Sequence, residues 1–408
     1  WKNDVNGQWT FGTHFLYEIG NNPEKIAFAS RLAVMLIFVL LGALVYRWAF
    51  EKYGRWPALL ALFLTVFSPN ILAHSRYVTT DVGAAFAFLF ALYFFVKFAD
   101  KPSKKHLLYA GLAFGLAQLI KFSLILLVPL YVFVFLVFCI VKHRRFNIGR
   151  SLGSLAVMFV IGYALVWPVY RFHVLNYPPE RQKNDIEYIL NSHPFRPGVK
   201  TVLWLTEKPL FRPYAQYFTG LLMVFQRAGG GNTTYFLGEV SSTAWKSYFP
   251  ITYLLKETIP ALILILTALT TLLYSMVVRR ERLKITIKSF VLNNTAEFVW
   301  TSFIILYWAT SIAGNLNIGV RHVLPTFPFI YLLTAGALKK WASKNGLVSM
   351  RPVRVSIIAV LMLWLAVETA GSYPYFLAYF NEFAGGPANG YKYMADSNLD
   401  WGQDLKRL

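Results

Sequence analysis

The stretch His74-Ser75-Arg76-Tyr77-Val78-Thr79-Thr80-Asp81 joins two apolar runs and decides the fold. Residues 56–73 before it are apolar apart from three small polar side chains, and residues 82–96 after it carry no charge. Since a spanning helix needs about 20 mostly apolar residues, two membrane helices are expected to meet at this polar corner. Charges at a membrane edge are unfavourable unless solvated or paired, which makes them functional candidates. The alternative is a solvated loop in which Asp81 only opens a helix, where a carboxylate is favourable.

Composition indicates the class of protein. Of the 408 residues, 56% are hydrophobic and only 14% are charged, whereas soluble domains carry about 25% charged residues. The sequence therefore predicts an all-α polytopic membrane protein with about ten spanning helices. They are expected over residues 27–49, 56–73, 81–99, 107–120, 123–141, 151–170, 259–278, 297–313, 323–337 and 355–370. The single cysteine, Cys139, lies in an apolar run and suggests no thiol chemistry.

The apolar runs divide the chain into five parts. Residues 1–26 are expected to end a first extracytoplasmic loop, and residues 27–170 to form a six-helix membrane part. Residues 171–258 form a long extracytoplasmic loop, in which residues 214–225 are expected to be interfacial. A four-helix membrane part follows over residues 259–371, and residues 372–408 form an extracytoplasmic tail. Because the sequence opens at Trp1 rather than Met, we expect a fragment that is truncated at its N-terminus and also, in the tail, at its C-terminus.

Basic residues predict the orientation. The net charge is +21, and 21 of the 40 basic residues lie in alternate loops at residues 47–55, 97–105, 142–150, 279–288 and 339–354. Short cytoplasmic loops carry such an excess, so these loops are assigned to the inside, where anionic lipid headgroups are the expected partners. Nucleic-acid binding is disfavoured because the charges are spread over five loops instead of forming one stripe.

Candidate site residues fall in four groups, all on the opposite face. Arginine holds phosphate through its planar fork and lysine adds a point charge. Carboxylates serve as a general base or as ligands of a divalent cation, and aromatic residues such as Trp245 and Trp401 either pack on a sugar or form the interfacial belt. The candidates are His74, Arg76 and Asp81 with Lys121; Tyr235, Glu239 and Lys246; Arg321 and His322; and Asn381 and Glu382 with the tail segment 396–404.

Motifs for nucleotide binding are absent from the sequence in their proper context, as are a zinc-spaced His/Cys set and a serine-hydrolase elbow. We therefore expect no nucleotide cofactor.

Segments 67–81, 319–329, 379–387 and 396–405 together resemble the bacterial polyprenyl-phosphate-sugar-dependent glycosyltransferases of the GT-C superfamily. These are similar to protein O-mannosyltransferases and aminoarabinose transferases. The resemblance covers nearly all of the chain. It implies a multi-pass protein of the bacterial inner membrane that moves a sugar from a polyprenyl-phosphate carrier to an extracytoplasmic protein, lipid or glycan.

The same resemblance implies roles for residues. Arg76 and Asp81 match the family's second-loop Arg and Asp, which bind the carrier phosphate or a metal and support the base. Arg321 and His322 match its later Arg-His pair near the phosphate. The family places its main catalytic carboxylate in the first extracytoplasmic loop, which is expected to lie upstream of Trp1. A divalent metal ion is left open as a cofactor.

Two other classes of function are weighed against this one. A transporter or lipid-linked-sugar flippase would more often show internal repeats, interrupted helices and charges near the bilayer midplane, whereas the polar residues here gather at one face. A non-catalytic envelope scaffold is favoured only if the loop before Trp1 also lacks an acid.

Overall fold

The structure is a computed structural model that describes residues 4–5, 7–141, 147–277, 283–343 and 350–403, without the side chains of 276–277 and 283–287. Several residues of the sequence analysis lie outside the described residues, or among these side chains. They are Lys142, Arg144, Arg145, Arg279, Arg280, Arg282, Lys284, Lys344 and Asp404.

The described residues are almost entirely helical, with one short β-hairpin. The helices are α1 (Gln8–Thr13), α2 (Pro23–Tyr53), α3 (Arg55–Val66), α4 (Pro69–Ser75), α5 (Asp81–Asp100), α6 (Lys104–Ile120), α7 (Leu127–Val141), α8 (Ile148–His173), α9 (Pro179–Ile189), α10 (Arg196–Thr206), α11 (Arg212–Gly230), α12 (Tyr248–Lys256), α13 (Ile259–Val277), α14 (Leu283–Asn293), α15 (Thr295–Ala313), α16 (Phe327–Ala342) and α17 (Arg351–Gly371). The strands are β1 (Thr234–Phe236) and β2 (Glu239–Ser241).

The structure confirms the all-α polytopic class. Within the described residues, six helical segments are long and apolar enough to span a membrane: α2, α5, residues 122–141, α8, α15 and α17. Two bent pairs raise the number to eight if each is one span, with 62° between α3 and α4 and 117° between α12 and the start of α13. The other two predicted spans are helices α6 and α16, of 17 and 16 residues. Length and composition therefore support six to eight spans rather than ten.

The bend between α3 and α4 shapes the polar corner. Pro69 opens α4, where its missing N–H does no harm, and the hydroxyl of Ser68 caps the helix by accepting from the backbone N–H of Ile71 at 3.5 Å. Helix α4 ends at Ser75 and α5 begins at Asp81. The corner is thus a short turn, in which Val78 and Thr80 are exposed and Tyr77 is buried, between two helices that are themselves mostly buried.

Helix α5 lies at the centre of the bundle and separates two polar ends. It packs against α2, α6, α15 and α16, and most of its side chains are fully buried. At its far end Lys97 pairs with Glu51 at 2.7 Å, and in the same region Lys52 pairs with Glu297 at 3.0 Å. These basic residues belong to the predicted inner loops, so the structure places them at the end of α5 opposite Asp81. A helix of 20 residues spans about 30 Å, close to the hydrocarbon thickness of a bilayer.

The tail after α17 folds back onto the Asp81 end of the bundle. The hairpin of β1 and β2 supports it, because Phe236 forms a bridge with Met394 and the N–H of Leu237 donates to Tyr393 O at 2.8 Å. Helices α9 to α11 form a separate layer with a small core of their own. The predicted interfacial stretch lies within α11, and its membrane contact remains a prediction.

Candidate active site at the Asp81 corner

Asp81 is buried and pairs with a lysine from another segment. Its Oδ1 accepts a hydrogen bond of 2.7 Å from Nζ of Lys121, and its side chain is 5% exposed. Lys121 has an extended backbone conformation between α6 and the following short helical segment. Because the helix breaks at this residue, its side chain reaches the corner. The alternative role of Asp81 as a simple cap is not supported. In the part of the chain that the structure describes, the cap of α5 is Thr80, which makes no side-chain cap bond.

Two further predicted residues face the other carboxylate oxygen of Asp81. Nδ1 of His74 and an Nη of Arg321 each lie 3.9 Å from Oδ2. His74 is almost fully buried, and among the described residues neither of its ring nitrogens has a hydrogen-bond partner. Arg321 and Lys121 are each 26% exposed, so their donors remain accessible from outside. We refer to Asp81, Lys121, His74 and Arg321 as the Asp81 cluster.

A tail aromatic covers this cluster. The guanidinium of Arg321 lies over the ring of Trp401, 5.0 Å from its centroid, and the His74 ring meets the same indole edge-on at 5.4 Å. Tyr77 packs on Trp401 from the corner, at 5.7 Å. The four residues come from the corner, the turn before α16 and the tail, which are distant in sequence. The tail therefore forms part of the site.

His322 and Arg76 lie at the margins of the cluster. The ring of His322 stacks on Phe249 with centroids 5.1 Å apart. The pKa of His322 is lowered to about 4, mainly by burial and next by the charge of Lys121, with a smaller lowering from Arg321 and an opposing effect of Asp81. The side chain is therefore neutral at pH 7. Arg76 lies over the Tyr77 ring at 5.4 Å and donates to the backbone carbonyl of Pro374, so it fastens the start of the tail.

The remaining predicted residues lie elsewhere. Tyr235 donates to Lys392 O at 3.0 Å and Glu239 is exposed on β2, so both belong to the hairpin that supports the tail. Lys246 donates to Ala313 O at 2.9 Å, and Glu382 is exposed. In the described residues these four form no ion pair or hydrogen bond with Asp81, and their role in substrate binding remains a prediction.

The side chain of Asn381 forms hydrogen bonds with backbone groups. Its amide donates to Leu254 O at 2.6 Å and to Glu257 O at 2.7 Å, and its oxygen accepts from the N–H of Phe383. These bonds satisfy carbonyls at the sharp bend after α12 and hold the tail there. A role in substrate binding for this buried side chain remains a prediction.

Sequence reasoning missed Lys256 and gave Asn398 no role of its own. Lys256 ends α12 and is 1% exposed, and its Nζ donates to Leu377 O and Asn398 O at 2.7 Å each. Asn398 is fully buried and accepts from the N–H of Val320 at 3.0 Å. An ionisable residue directly before an apolar run was the available signal for Lys256, and Asn398 lay within the tail motif already noted.

The cluster does not fit a divalent cation. Ca²⁺ and Mg²⁺ take six or more oxygen ligands, mainly carboxylates, carbonyls and water. The cluster offers one carboxylate, which already pairs with Lys121 and faces Arg321. Groups of three or more metal-ligating side chains are not found in the described residues.

Known proteins resemble this chain in two ways. Residues 13–170 match the family model described as dolichyl-phosphate-mannose-protein mannosyltransferase. Among solved structures, the chain is similar to ArnT from Cupriavidus metallidurans bound to undecaprenyl phosphate. The TM-score is 0.49 at 14% identity, covering 90% of this chain and 60% of that one. No curated protein sequence matches significantly. The family match covers the Asp81 corner and Lys121. The matched residues are fewer than half of the chain, so the similarity to this mannosyltransferase family is one of its first part.

Proposed function

We propose that this protein transfers a sugar from a polyprenyl-phosphate carrier to an acceptor at the Asp81 end of the bundle. The observation that carries the proposal is the composition of the cluster, in which one buried carboxylate faces Lys121, Arg321 and His74. The cluster has an excess of positive charge, and its two cations are partly exposed. Such an arrangement attracts a phosphate, since charge-assisted hydrogen bonds to phosphate oxygens are among the strongest that side chains make.

The reaction is a direct displacement at the anomeric carbon. The bond from that carbon to the phosphate oxygen breaks, a bond to the acceptor oxygen or nitrogen forms, and the carrier leaves as polyprenyl phosphate. Arg321 and Lys121 stabilise the charge that develops on the leaving phosphate. A carboxylate that pairs with lysine is a weak base, so Asp81 is assigned the role of orienting these two cations. The acceptor proton passes to a carboxylate outside the cluster.

The sugar and the membrane are finer parts of the proposal. The family description supports mannose or a similar hexose as the sugar. Lys52, Lys97 and Lys339, from three of the basic loops, lie at the end of α5 opposite Asp81, and short loops rich in basic residues face the cytoplasm. The site therefore faces outward from a bacterial inner membrane, with a protein, lipid or glycan as acceptor.

One observation favours the flippase alternative. The bent pairs α3–α4 and α12–α13 are interrupted helices of the kind that many transporters use. The polar groups of the cluster lie at the end of α5, however, rather than in the middle of the bundle, which favours transfer at one face.

The test uses the full chain in lipid nanodiscs with undecaprenyl phosphate that carries a radiolabelled hexose. Donor binding and release of undecaprenyl phosphate in the presence of an envelope extract are measured in parallel. We expect the wild type to bind the donor, and Lys121→Met combined with Arg321→Met to weaken that binding. Proteoliposomes with a fluorescent polyprenyl phosphate provide the competing measurement. Movement of that lipid across the membrane without any loss of sugar from the donor would support lipid flipping instead of glycosyl transfer.

A further inference from the structure

The buried amino group of Lys256 is hydrogen-bonded to the tail. Its Nζ donates to Leu377 O and Asn398 O and lies 4.5 Å from the centroid of the Phe380 ring. In the described residues it forms no ion pair with a carboxylate. Burying an amino group is unfavourable unless its donors are satisfied, and groups of the tail satisfy them here. Two of the acceptors are carbonyls separated by 21 residues of tail, and Lys256 thereby ties both ends of that segment to the end of α12.

Asn398 links Lys256 to the turn that bears Arg321 of the Asp81 cluster. While its backbone carbonyl accepts from Lys256, its side chain accepts from the N–H of Val320 and donates to the hydroxyl of Tyr248, each at 3.0 Å. Gly319 has a φ of +90°, and a Cβ there would lie 3.0 Å from the amide oxygen of Asn398. The close approach fixes the tail against the turn that carries Arg321.

These contacts of Asn398 place Trp401 against Arg321. Val320 precedes Arg321 by one residue, and Asn398 precedes Trp401 by three, so the bond between the first pair aligns the second. Nε of Arg321 donates to Ile318 O at 3.2 Å, and one face of its guanidinium lies against the indole. Because Nε and one face of the Arg321 guanidinium are already in contact, its two terminal nitrogens are left to face Asp81 and the space beside it.

We propose that Trp401 is a positioning residue that holds the Arg321 fork towards a phosphate of the donor, and that Lys256 and Asn398 seat the tail for this purpose. The inference rests on the proposed function for the identity of the anion. An unrestrained arginine loses rotamer entropy when it binds, so a fork restrained beforehand binds more tightly. The tail segment 376–401 is on this basis a working part of the site.

The experiment compares four variants of the full chain in nanodiscs. Trp401→Leu removes the aromatic face, Trp401→Phe keeps a weaker one, Lys256→Met removes the anchor, and Lys256→Arg keeps its charge. The matched control is Trp204→Leu on α10, since Trp204 also lies near a cation, Lys208, at 5.9 Å. Binding of radiolabelled undecaprenyl phosphate is measured together with the rate of tryptic cleavage after Lys392, which reports release of the tail without any ligand.

Trp401→Leu should weaken binding about 2- to 30-fold, the range that a cation–π contact supplies. Trp401→Phe should recover part of it, and Trp204→Leu should bind as the wild type does. Combined with Arg321→Met, Trp401→Leu should cause no additional loss, because the indole then has no fork to restrain. Lys256→Met should weaken binding and speed cleavage after Lys392, and Lys256→Arg should do so less.

Two results would overturn the inference: unchanged binding in Trp401→Leu, or an additional loss in the double variant as large as in Trp401→Leu alone. Cleavage after Lys392 at the wild-type rate in Lys256→Met would show that Lys256 does not anchor the tail. A wild type that binds no undecaprenyl phosphate would instead refute the proposed function. In that case the rate of cleavage after Lys392 tests the positioning role. The role is supported if Arg321→Met and Trp401→Leu speed cleavage equally and the double variant is cleaved no faster than either single variant. It is refuted if the two effects add.

Discussion

The carboxylate of Asp81 and the ammonium of Lys121 are joined by a hydrogen bond of 2.7 Å across 40 residues of sequence. The lysine comes from a break between α6 and α7, and the aspartate from the first turn of α5. The pair fixes the polar corner against the neighbouring helices and leaves Oδ2 to face His74 and Arg321. Three of the predicted site residues, Lys121, His74 and Arg321, thus meet at the carboxylate of a fourth.

The first prediction concerns Asp81→Asn. An amide still accepts a hydrogen bond from Lys121, yet it lacks the charge that orients Lys121 and Arg321. We expect transfer to fall by about 10²-fold or more, within the range of electrostatic contributions to catalysis, while expression stays near normal. A residue that only caps a helix would cost about 1 kcal/mol of stability and leave specific activity unchanged. Transfer assays on equal amounts of inserted protein distinguish the two outcomes.

The second prediction concerns Arg321→Lys. A lysine keeps the charge but loses the planar fork and its fit on the Trp401 ring. We expect a higher KM for the donor, by about tenfold, with a smaller change in kcat. The matched control is Arg354→Lys, because Arg354 also lies over a tryptophan, Trp341, at 5.6 Å, but belongs to the inner loops. Equal effects in the two variants would argue against a specific role of Arg321.

The third prediction concerns pH. The pKa of His322 is lowered from 6.5 to about 4 in the folded protein, so the unfolded chain binds the extra proton more readily. The stability that depends on neutral His322 is therefore complete above pH 6.5 and is lost as the pH falls towards 4, by about 3 kcal/mol at most. Melting temperatures between pH 7.5 and pH 4.5 should fall less steeply in His322→Gln than in the wild type. Parallel curves would show that His322 is not held neutral.

The fourth prediction concerns Asn381. Its amide serves two carbonyls at the bend after α12, and leaving such groups unsatisfied costs about 1–3 kcal/mol each. Asn381→Ala should lower the melting temperature clearly. The control Asn389→Ala removes a single bond to Gly385 O near the surface and should have little effect. A normal melting temperature with a raised donor KM would instead assign Asn381 to substrate binding.

The fifth prediction concerns orientation. Single cysteines are introduced in a Cys139→Ser background at Lys101, in an exposed loop of the basic set, and at Asn191, exposed beside α10. Only the cysteine at residue 191 should react with an impermeant reagent added to intact cells. Labelling of the cysteine at residue 101 alone would reverse the orientation and place the site inside.

The local parts of this structure follow from sequence. Apolar runs of about 20 residues have few alternatives to helix in a bilayer, because every backbone group must be satisfied within the segment. The predicted bounds are accordingly close, with α13 beginning at Ile259 and α17 ending at Gly371. Polar interruptions such as residues 74–81 were visible for the same reason, and the resemblance selected Asp81 and Arg321 from among them.

Only the tertiary structure decided which of these interruptions meet. Nothing local distinguishes Lys121, which reaches Asp81, from Lys246, which binds a carbonyl of α15 instead. The bend of 117° after α12 was also invisible, because its contacts with the tail span more than 100 residues: Lys256 donates to Leu377 O, and Asn381 of the tail donates to Glu257 O. Long-range polar contacts reflect how the whole chain packs, whereas a helix in a membrane reflects only its own residues. The helices were therefore determined by the sequence alone, and the tail's place over Arg321 by the assembled fold.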